Sequence, residues 1–244
     1  MTATDLHARP SADFDARLAH AQAMLLEAAD QHGARVVQAT SLGVEDMVVT
    51  DLIASAGLPI AVATLDTGAL HDETLALIGR IERHYGIAVE VWRPRHEAVV
   101  QFVGRHGSDA MYRSVELRKA CCSVRKLEPL ARMLASRDAW ITGLRREHSD
   151  TRAEVPYRDR DAHGRVKLNP LADWSWGDVW HYVATRGVPY NPLHDRFHPS
   201  IGCAPCTRAI AVGEPFRAGR WWWEQEQAKE CGLHVARAEQ ATPA

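Results

Sequence analysis

Two pairs of cysteines, far apart along the chain, limit what it can fold into more than any other feature. Arg118-Lys119-Ala120-Cys121-Cys122-Ser123-Val124-Arg125-Lys126 sets two adjacent cysteines among four cations, and Gly202-Cys203-Ala204-Pro205-Cys206-Thr207 supplies the second pair. Thiolates are anions and need a metal or nearby positive charge. Four of them, gathered from two distant turns, are enough to hold one tetrahedral metal ion or one iron–sulfur cluster. A fold that uses them this way must bring the two loops to one point, and Cys231 is then left over. An odd total of five cysteines in a chain of 244 residues speaks for metal or catalytic use rather than a disulfide framework.

The remaining composition is that expected of a soluble globular domain. The formal net charge of −2, from 29 basic and 31 acidic residues, gives no reason to expect a nucleic-acid partner. The first residues make no secretory signal, and no stretch approaches about 18 to 20 consecutive apolar residues, so no membrane association and a cytoplasmic location are expected. One domain over residues 1–215 is expected to be followed by a polar tail, 216–244, which carries Cys231.

Residues 1–12 are mixed in character and are expected to be poorly ordered. Phe14, Leu18, Ala21, Leu25 and Ala28 then recur at helical spacing between Asp13 and Ala29. Strands are expected over 35–40, 60–65, 87–91 and from Ala139 to Thr142, and helices over 47–56, 72–85, 96–102 and 124–136. This alternation predicts an α/β fold with a doubly wound, mostly parallel sheet. Ligands in such sheets bind beyond the carboxyl ends of the strands, where Ser41-Leu42-Gly43-Val44-Glu45-Asp46 and Leu65-Asp66-Thr67-Gly68 both fall. A strand, a short Ser/Gly turn and a helix start offer unpaired backbone N–H groups and a positive dipole end to a phosphate. The same turn also fits an ordinary junction capped by Ser41.

On a regular helix Cys122 and Lys126 share one face, which places Lys126 beside whatever adjoins the thiolates. Arg145, Arg146 and Arg152, at the end of the strand from Ala139, suggest anion recognition, because guanidinium forks match phosphate and sulfate oxygens. A hairpin turning at Asp161–Gly164 follows. Ser175, three residues before Asp178, is placed to cap a helix. The tryptophans there, and most histidines from His148 onward, read as packing or surface residues.

With these residues in view, the chain resembles the adenylyl-sulfate and phosphoadenylyl-sulfate reductase family, and within it the iron–sulfur branch of assimilatory adenylyl-sulfate reductases. The resemblance runs from about residue 35 to 235. Ser41 to Asp46 and Leu65 to Gly68 resemble the family's nucleotide-binding loops, a degenerate relative of the pyrophosphate loop of adenine nucleotide alpha hydrolases. Ser41, Gly43, Glu45, Asp46, Leu65, Asp66, Thr67 and Gly68 are thereby implied in substrate binding. The two cysteine pairs match the ligands of one [4Fe–4S] cluster, and Lys229-Glu230-Cys231-Gly232-Leu233-His234 matches the motif whose cysteine is the family nucleophile. Lys126, Arg217 and Arg220 stand where the family places cations around the phosphosulfate, and His234 follows the nucleophile at the family spacing.

The resemblance implies reduction of adenosine 5′-phosphosulfate to sulfite and AMP through a Cys231 thiosulfonate on a mobile C-terminal tail, in sulfate assimilation for cysteine biosynthesis. With four cysteines used as ligands no second free thiol remains, so the reductant must be external, of the thioredoxin or glutaredoxin type. The 3′-phosphorylated nucleotide, or both nucleotides, is the alternative substrate, and a homo-oligomer is compatible with the sequence. An ATP-dependent adenylyltransferase would want an intact Ser-Gly-Gly-x-Asp-Ser loop, which Leu42 and Glu45 break. A zinc-stabilised binding module would leave Cys231 idle, and adjacent helical cysteines, roughly 100° apart, suit one small ion poorly.

Overall fold

A computed structural model describes residues 1–148 and 152–224. Its sheet is built from β1 (Val36–Thr40), β2 (Ala61–Leu65), β3 (Val89–Trp92), β4 (Ala139–Ile141), β5 (Arg158–Arg160) and β6 (Val166–Leu168), in the order β3-β2-β1-β4-β6-β5. All neighbours are parallel except β5 and β6, the expected hairpin, which pair Arg158 with Leu168 and Arg160 with Val166. The mostly parallel α/β sheet is thus the one the alternation predicts, and both faces are covered.

Strand pleating explains the two faces. Val36 faces a large core with Leu25, Met47, Ile53, Ile81, Trp174 and Trp180, whereas Val37, one residue on, faces a smaller core of Ala63, Met133, Leu134 and Trp140. The first core is supplied by α2 (Phe14–His32), α3 (Val44–Ser55), α4 (Asp72–Tyr85) and α8 (Trp176–Arg186). Burial of Leu25, Met47, Ile53 and Ile81 is worth about 1.5–3 kcal/mol each. The caps act as the sequence suggests: Gly86 ends α4 in the left-handed conformation, and Ser175 and Asp178 form a reciprocal capping box at the start of α8.

Four local expectations are corrected. Residues 1–12 are ordered. Thr2 and Asp5 form a capping box for α1 (Ala3–His7), the Ala3 N–H donates to Asp195 at 2.7 Å, and the Ser11 N–H donates to Asp178 at 2.6 Å. The partners that order this segment lie far away in sequence, and the Arg9 carbonyl packs so closely on Gly177 that no side chain fits there. The helix after β1 starts at Val44 rather than Met47, with Gly43 and not Ser41 at its N-cap. The cysteine-bearing helix is not regular either: α6 (Val115–Cys122) passes through one π turn, Ser123–Leu127, into α7 (Glu128–Met133). The wider turn replaces the regular four-residue relation between Cys122 and Lys126. Helix α5 (His96–His106) runs four residues past its expected end.

Candidate active site

The carboxyl ends of β1, β2 and β4 open into a cavity of about 200 Å³. One end is an apolar slot between Ala39, Ala63, Leu65, Leu130, Met133 and Trp140, and the other is lined by Lys126, Arg217 and Arg220. Ser41, Gly43, Glu45, Asp46, Thr67 and Arg152 also line it.

Asp46 ties two of the strand-end loops together. Its carboxylate accepts the Ser41 N–H and hydroxyl, both at 2.6 Å, and the Gly143 N–H at 2.7 Å. Burial pushes its pKa up, against the hydrogen bonds from Ser41 and Gly143. Leu42 in the same loop takes a φ of 62°, the left-handed region that a glycine adopts without cost, and its side chain is buried. Gly143 leaves no room for a β-carbon, which would lie 2.7 Å from the Asp46 carboxylate and 2.8 Å from its backbone nitrogen. Gly143→Ala is therefore expected to push Asp46 and the Ser41–Glu45 loop out of place and weaken nucleotide binding by about 10²-fold. Titration with AMP checks this, and unchanged affinity would show that the loop's position does not matter.

Glu45 is fixed from three directions. Arg145 donates through Nε at 3.1 Å and Nη2 at 3.0 Å, and His148 Nε2 lies 2.7 Å away. Burial alone would raise the Glu45 pKa, but the charges and hydrogen bonds around it hold it well below the usual carboxylate range. The permanent cation Arg145 carries this effect, because burial pushes His148 down toward its neutral form. The His148 Nδ1 accepts the Arg145 backbone N–H at 3.2 Å, which leaves Nε2–H as the donor to Glu45.

This arrangement redirects two of the three arginines. Arg145 is 1% exposed and spends its guanidinium on Glu45, Glu147 and the Trp174 carbonyl, so it positions Glu45 instead of facing the cavity. Arg146 turns to the Val155 carbonyl and stacks on Tyr157 at 5.2 Å. Of the three, only Arg152 lines the cavity. In the second loop Leu65 and Thr67 line it. Asp66 points away to Arg93 at 2.9 Å and accepts the Gly68 N–H, and Gly68 serves the turn with a φ of 67°.

The four paired cysteines meet. Cys121, Cys122, Cys203 and Cys206, each between 7% and 9% exposed, pack in one cluster with Met111 and Trp221 around a cavity of about 100 Å³. All four are free thiols. A bridge from Leu70 to Cys203 and a bond from the Ala204 N–H to the Ala69 carbonyl dock the Cys203 loop beside the loop that follows β2. Burial raises the Cys121 thiol and pushes Cys206 to about 11, with Cys203 adding to both. Thr67 Oγ1 lies 3.2 Å from Cys203 Sγ, and Arg125 donates to the Thr67 carbonyl at 2.7 Å.

Lys126 and Arg220 line this nest as well as the larger cavity, so the same two cations border both. Trp221, 1% exposed, carries Arg118 at 4.5 Å, Arg220 at 4.7 Å and Arg217 at 5.9 Å over its ring. Arg220 lies against Gly202, where any side chain would overlap its guanidinium, and donates to the Ile201 carbonyl at 3.1 Å. Arg118 forms a buried ion pair with Glu224 at 2.7 Å. Cys231 and His234 lie outside the described residues.

Several lining residues carried no distinct signal in the sequence. Leu130 and Met133 fall there within the expected helix 124–136 and Trp140 within the strand from Ala139, while His148 and His194 are among the histidines read mostly as packing or surface residues.

The mostly parallel sheet with a cavity at its strand ends has the adenine nucleotide alpha hydrolase-like fold. Solved structures agree on the fold. A phosphoadenylyl-sulfate (PAPS) reductase from Candida auris superposes with a TM-score of 0.63 at 24% identity, over 78% of this chain and 90% of that one. An NH3-dependent NAD synthetase from Campylobacter jejuni superposes at 0.51 and 11% identity, over 72% and 75%. The phosphoadenosine phosphosulfate reductase domain family matches residues 35–209. Proteins named adenosine 5′-phosphosulfate reductase from Allochromatium vinosum and Burkholderia cepacia are 59% and 51% identical, over 82% and 91% of this chain and 78% and 89% of theirs. The chain belongs to the phosphoadenosine phosphosulfate reductase family.

Proposed function

We propose that the protein reduces adenosine 5′-phosphosulfate to sulfite and AMP, as the names of its curated relatives suggest. The observation that carries the reading is the shared border of the two cavities: Lys126 and Arg220 face both the nucleotide-sized cleft and the cysteine nest. The slot between Ala63, Met133 and Trp140 suits a flat base, and the three cations suit a phosphosulfate.

The residues present fit a [4Fe–4S] cluster. Four buried thiols surround one small cavity beside Arg125, Lys126 and Arg220, and no three ligating side chains among the described residues converge on a single ion. One zinc ion would draw four sulfurs to within about 3.8 Å of one another, whereas a cluster holds them further apart. Bound there, the cluster would supply a fixed electrostatic field next to the phosphosulfate rather than the two electrons of the reaction.

In the proposed chemistry the Cys231 thiolate attacks the sulfate sulfur, a Cys231 S–S bond forms, and the bond from sulfur to the phosphate oxygen breaks, so that AMP leaves with the electron pair. Lys126, Arg217 and Arg220 offset the charge that builds on the sulfonyl and leaving oxygens. An external thiol then attacks the Cys231 sulfur and frees sulfite, and a second thiol reduces the mixed disulfide, which supplies two electrons in all. A thioredoxin- or glutaredoxin-type donor fits this need, and assimilatory supply of sulfite for cysteine biosynthesis is the matching role. Among the described residues no helix is long and apolar enough to cross a membrane.

Sulfite release with thioredoxin, measured separately on the 5′-phosphosulfate and its 3′-phosphorylated form, tests the reading. A kcat/KM at least about tenfold higher for the former is expected, equivalent to about 1.4 kcal/mol. Equal values would remove the stated preference.

A further inference from the structure

Among the polar side chains on the wall of the nucleotide cavity is His194, to which the chemistry above gives no role. His194 sits in the 3-10 turn Pro192–Arg196, capped by Asn191, whose side chain accepts the Leu193 N–H at 3.0 Å and donates to Thr74 Oγ1 at 2.8 Å. Its ring stands edge-on to Trp180 at 5.4 Å and Trp176 at 6.2 Å, so its position is fixed by packing. It is only 7% exposed, and neither ring nitrogen has a well-formed hydrogen-bond partner among the described residues, although the His198 backbone lies near enough to raise its pKa slightly against burial. Buried polar groups are ordinarily satisfied, and one left open on a cavity wall points to a ligand that completes it.

The neighbours on that wall define what the ligand must offer. Glu45, held ionised by Arg145, and Phe216 line the same cavity. Burial pushes the His194 pKa down to about 4 against the pull of the Glu45 carboxylate, so the ring is neutral near pH 7, with one N–H donor and one acceptor. A carboxylate and a neutral imidazole match hydroxyl groups, which both donate and accept.

We propose that His194 is a specificity residue that hydrogen-bonds the ribose diol of the bound nucleotide. This rests on the reading of the cavity as an adenosine phosphosulfate site: the slot takes the base, the cations take the phosphosulfate, and the sugar spans the wall between them. A phosphate on the 3′ carbon would bring acceptors only and added negative charge toward Glu45, and a ring that stays neutral offers one N–H but no charge to offset it. The same wall therefore favours the nucleotide with a free 3′-hydroxyl.

Calorimetric binding of AMP, 2′-deoxy-AMP, 3′-deoxy-AMP and adenosine 3′,5′-bisphosphate to the full chain tests this in the wild type, His194→Leu and His194→Gln. The wild type should bind AMP about tenfold better than at least one deoxy analogue. His194→Leu should lose about that factor for AMP and nothing for the same analogue, and His194→Gln, which keeps a donor and an acceptor, should recover part of the loss. Equal losses for AMP and both analogues, or no loss in either variant, would overturn the proposal while leaving the nucleotide site standing. A wild type that binds AMP and both deoxy analogues equally would reject it even if His194→Leu failed to fold. Failure of the wild type to bind AMP at all would overturn the nucleotide reading itself, and the proposal with it.

Discussion

Replacing Cys231 with serine is expected to lower sulfite formation by at least about 10⁴-fold while leaving AMP binding within about twofold. A free cysteine has a pKa of about 8.5, so only about a tenth is thiolate at pH 7.5, and a serine hydroxyl supplies essentially no anion at all. On the proposed chemistry Arg217 and Arg220, which line the cavity, would raise the thiolate fraction and neutralise the sulfonyl oxygens during attack. A thiosulfonate on the wild-type cysteine should accumulate when the substrate is supplied without reductant. Mass spectrometry should then find one added SO3 group on the peptide that holds Cys231, together with one AMP released per chain. A serine variant that still turned over, or an adduct on Cys121, Cys122, Cys203 or Cys206, would remove Cys231 from the role. His234 would lose its role with it. A nucleophile that must meet both a buried substrate and a bulky protein thiol donor has to alternate between closed and open positions, which suits a terminal segment better than a strand end.

Serine at Cys206 is expected to abolish cluster assembly. The purified variant should hold well under one iron per chain instead of about four, lack broad visible absorption, and retain less than about 1% of the activity. The reason is electrostatic as well as chemical. A hydroxyl is a poor ligand for a soft iron–sulfur centre. Burial disfavours the thiolate at Cys206 by more than Arg220 and Lys126 favour it, so a bound cationic centre would be needed to keep it ionised. Without that centre, Lys126 and Arg220 lose the anionic sulfurs they border, and their orientation toward the phosphosulfate loosens. Iron and acid-labile sulfide analysis beside AMP titration separates these effects. Full iron and sulfide in the serine variant would take Cys206 out of the ligand set, and full activity without iron would deny the cluster any part in the reaction.

The fold was largely legible because its signals are local. Helix α4 keeps its expected bounds, Asp72–Tyr85, since an apolar stripe runs up to a glycine that can end it. The capping box of Ser175 and Asp178 spans only three residues, and the turn between β5 and β6 is closed by Asp161, which accepts the His163 and Arg165 N–H groups. The two cysteine pairs were legible for a different reason. Buried thiols of this number and spacing have few uses, and each of them requires that the pairs meet.

Other features depended on partners that no local window contains. The π turn after Cys122 carries no residue that announces it. The first twelve residues look featureless until Asp178 and Asp195 accept their N–H groups. Three arginines at one strand end read alike in sequence, yet one is buried against Glu45, one hundred residues away in the chain, one turns to Tyr157, and one faces the cavity. An arginine's charge and reach are properties of the residue, so the sequence by itself determined that the strand end is cationic, that four thiols must share a site and that the sheet is mostly parallel. Which cations line the cavity, and which histidine has unpartnered nitrogens on its wall, was decided only by tertiary structure, because burial and the pairing of charge arise from segments that become neighbours when the sheet closes its core.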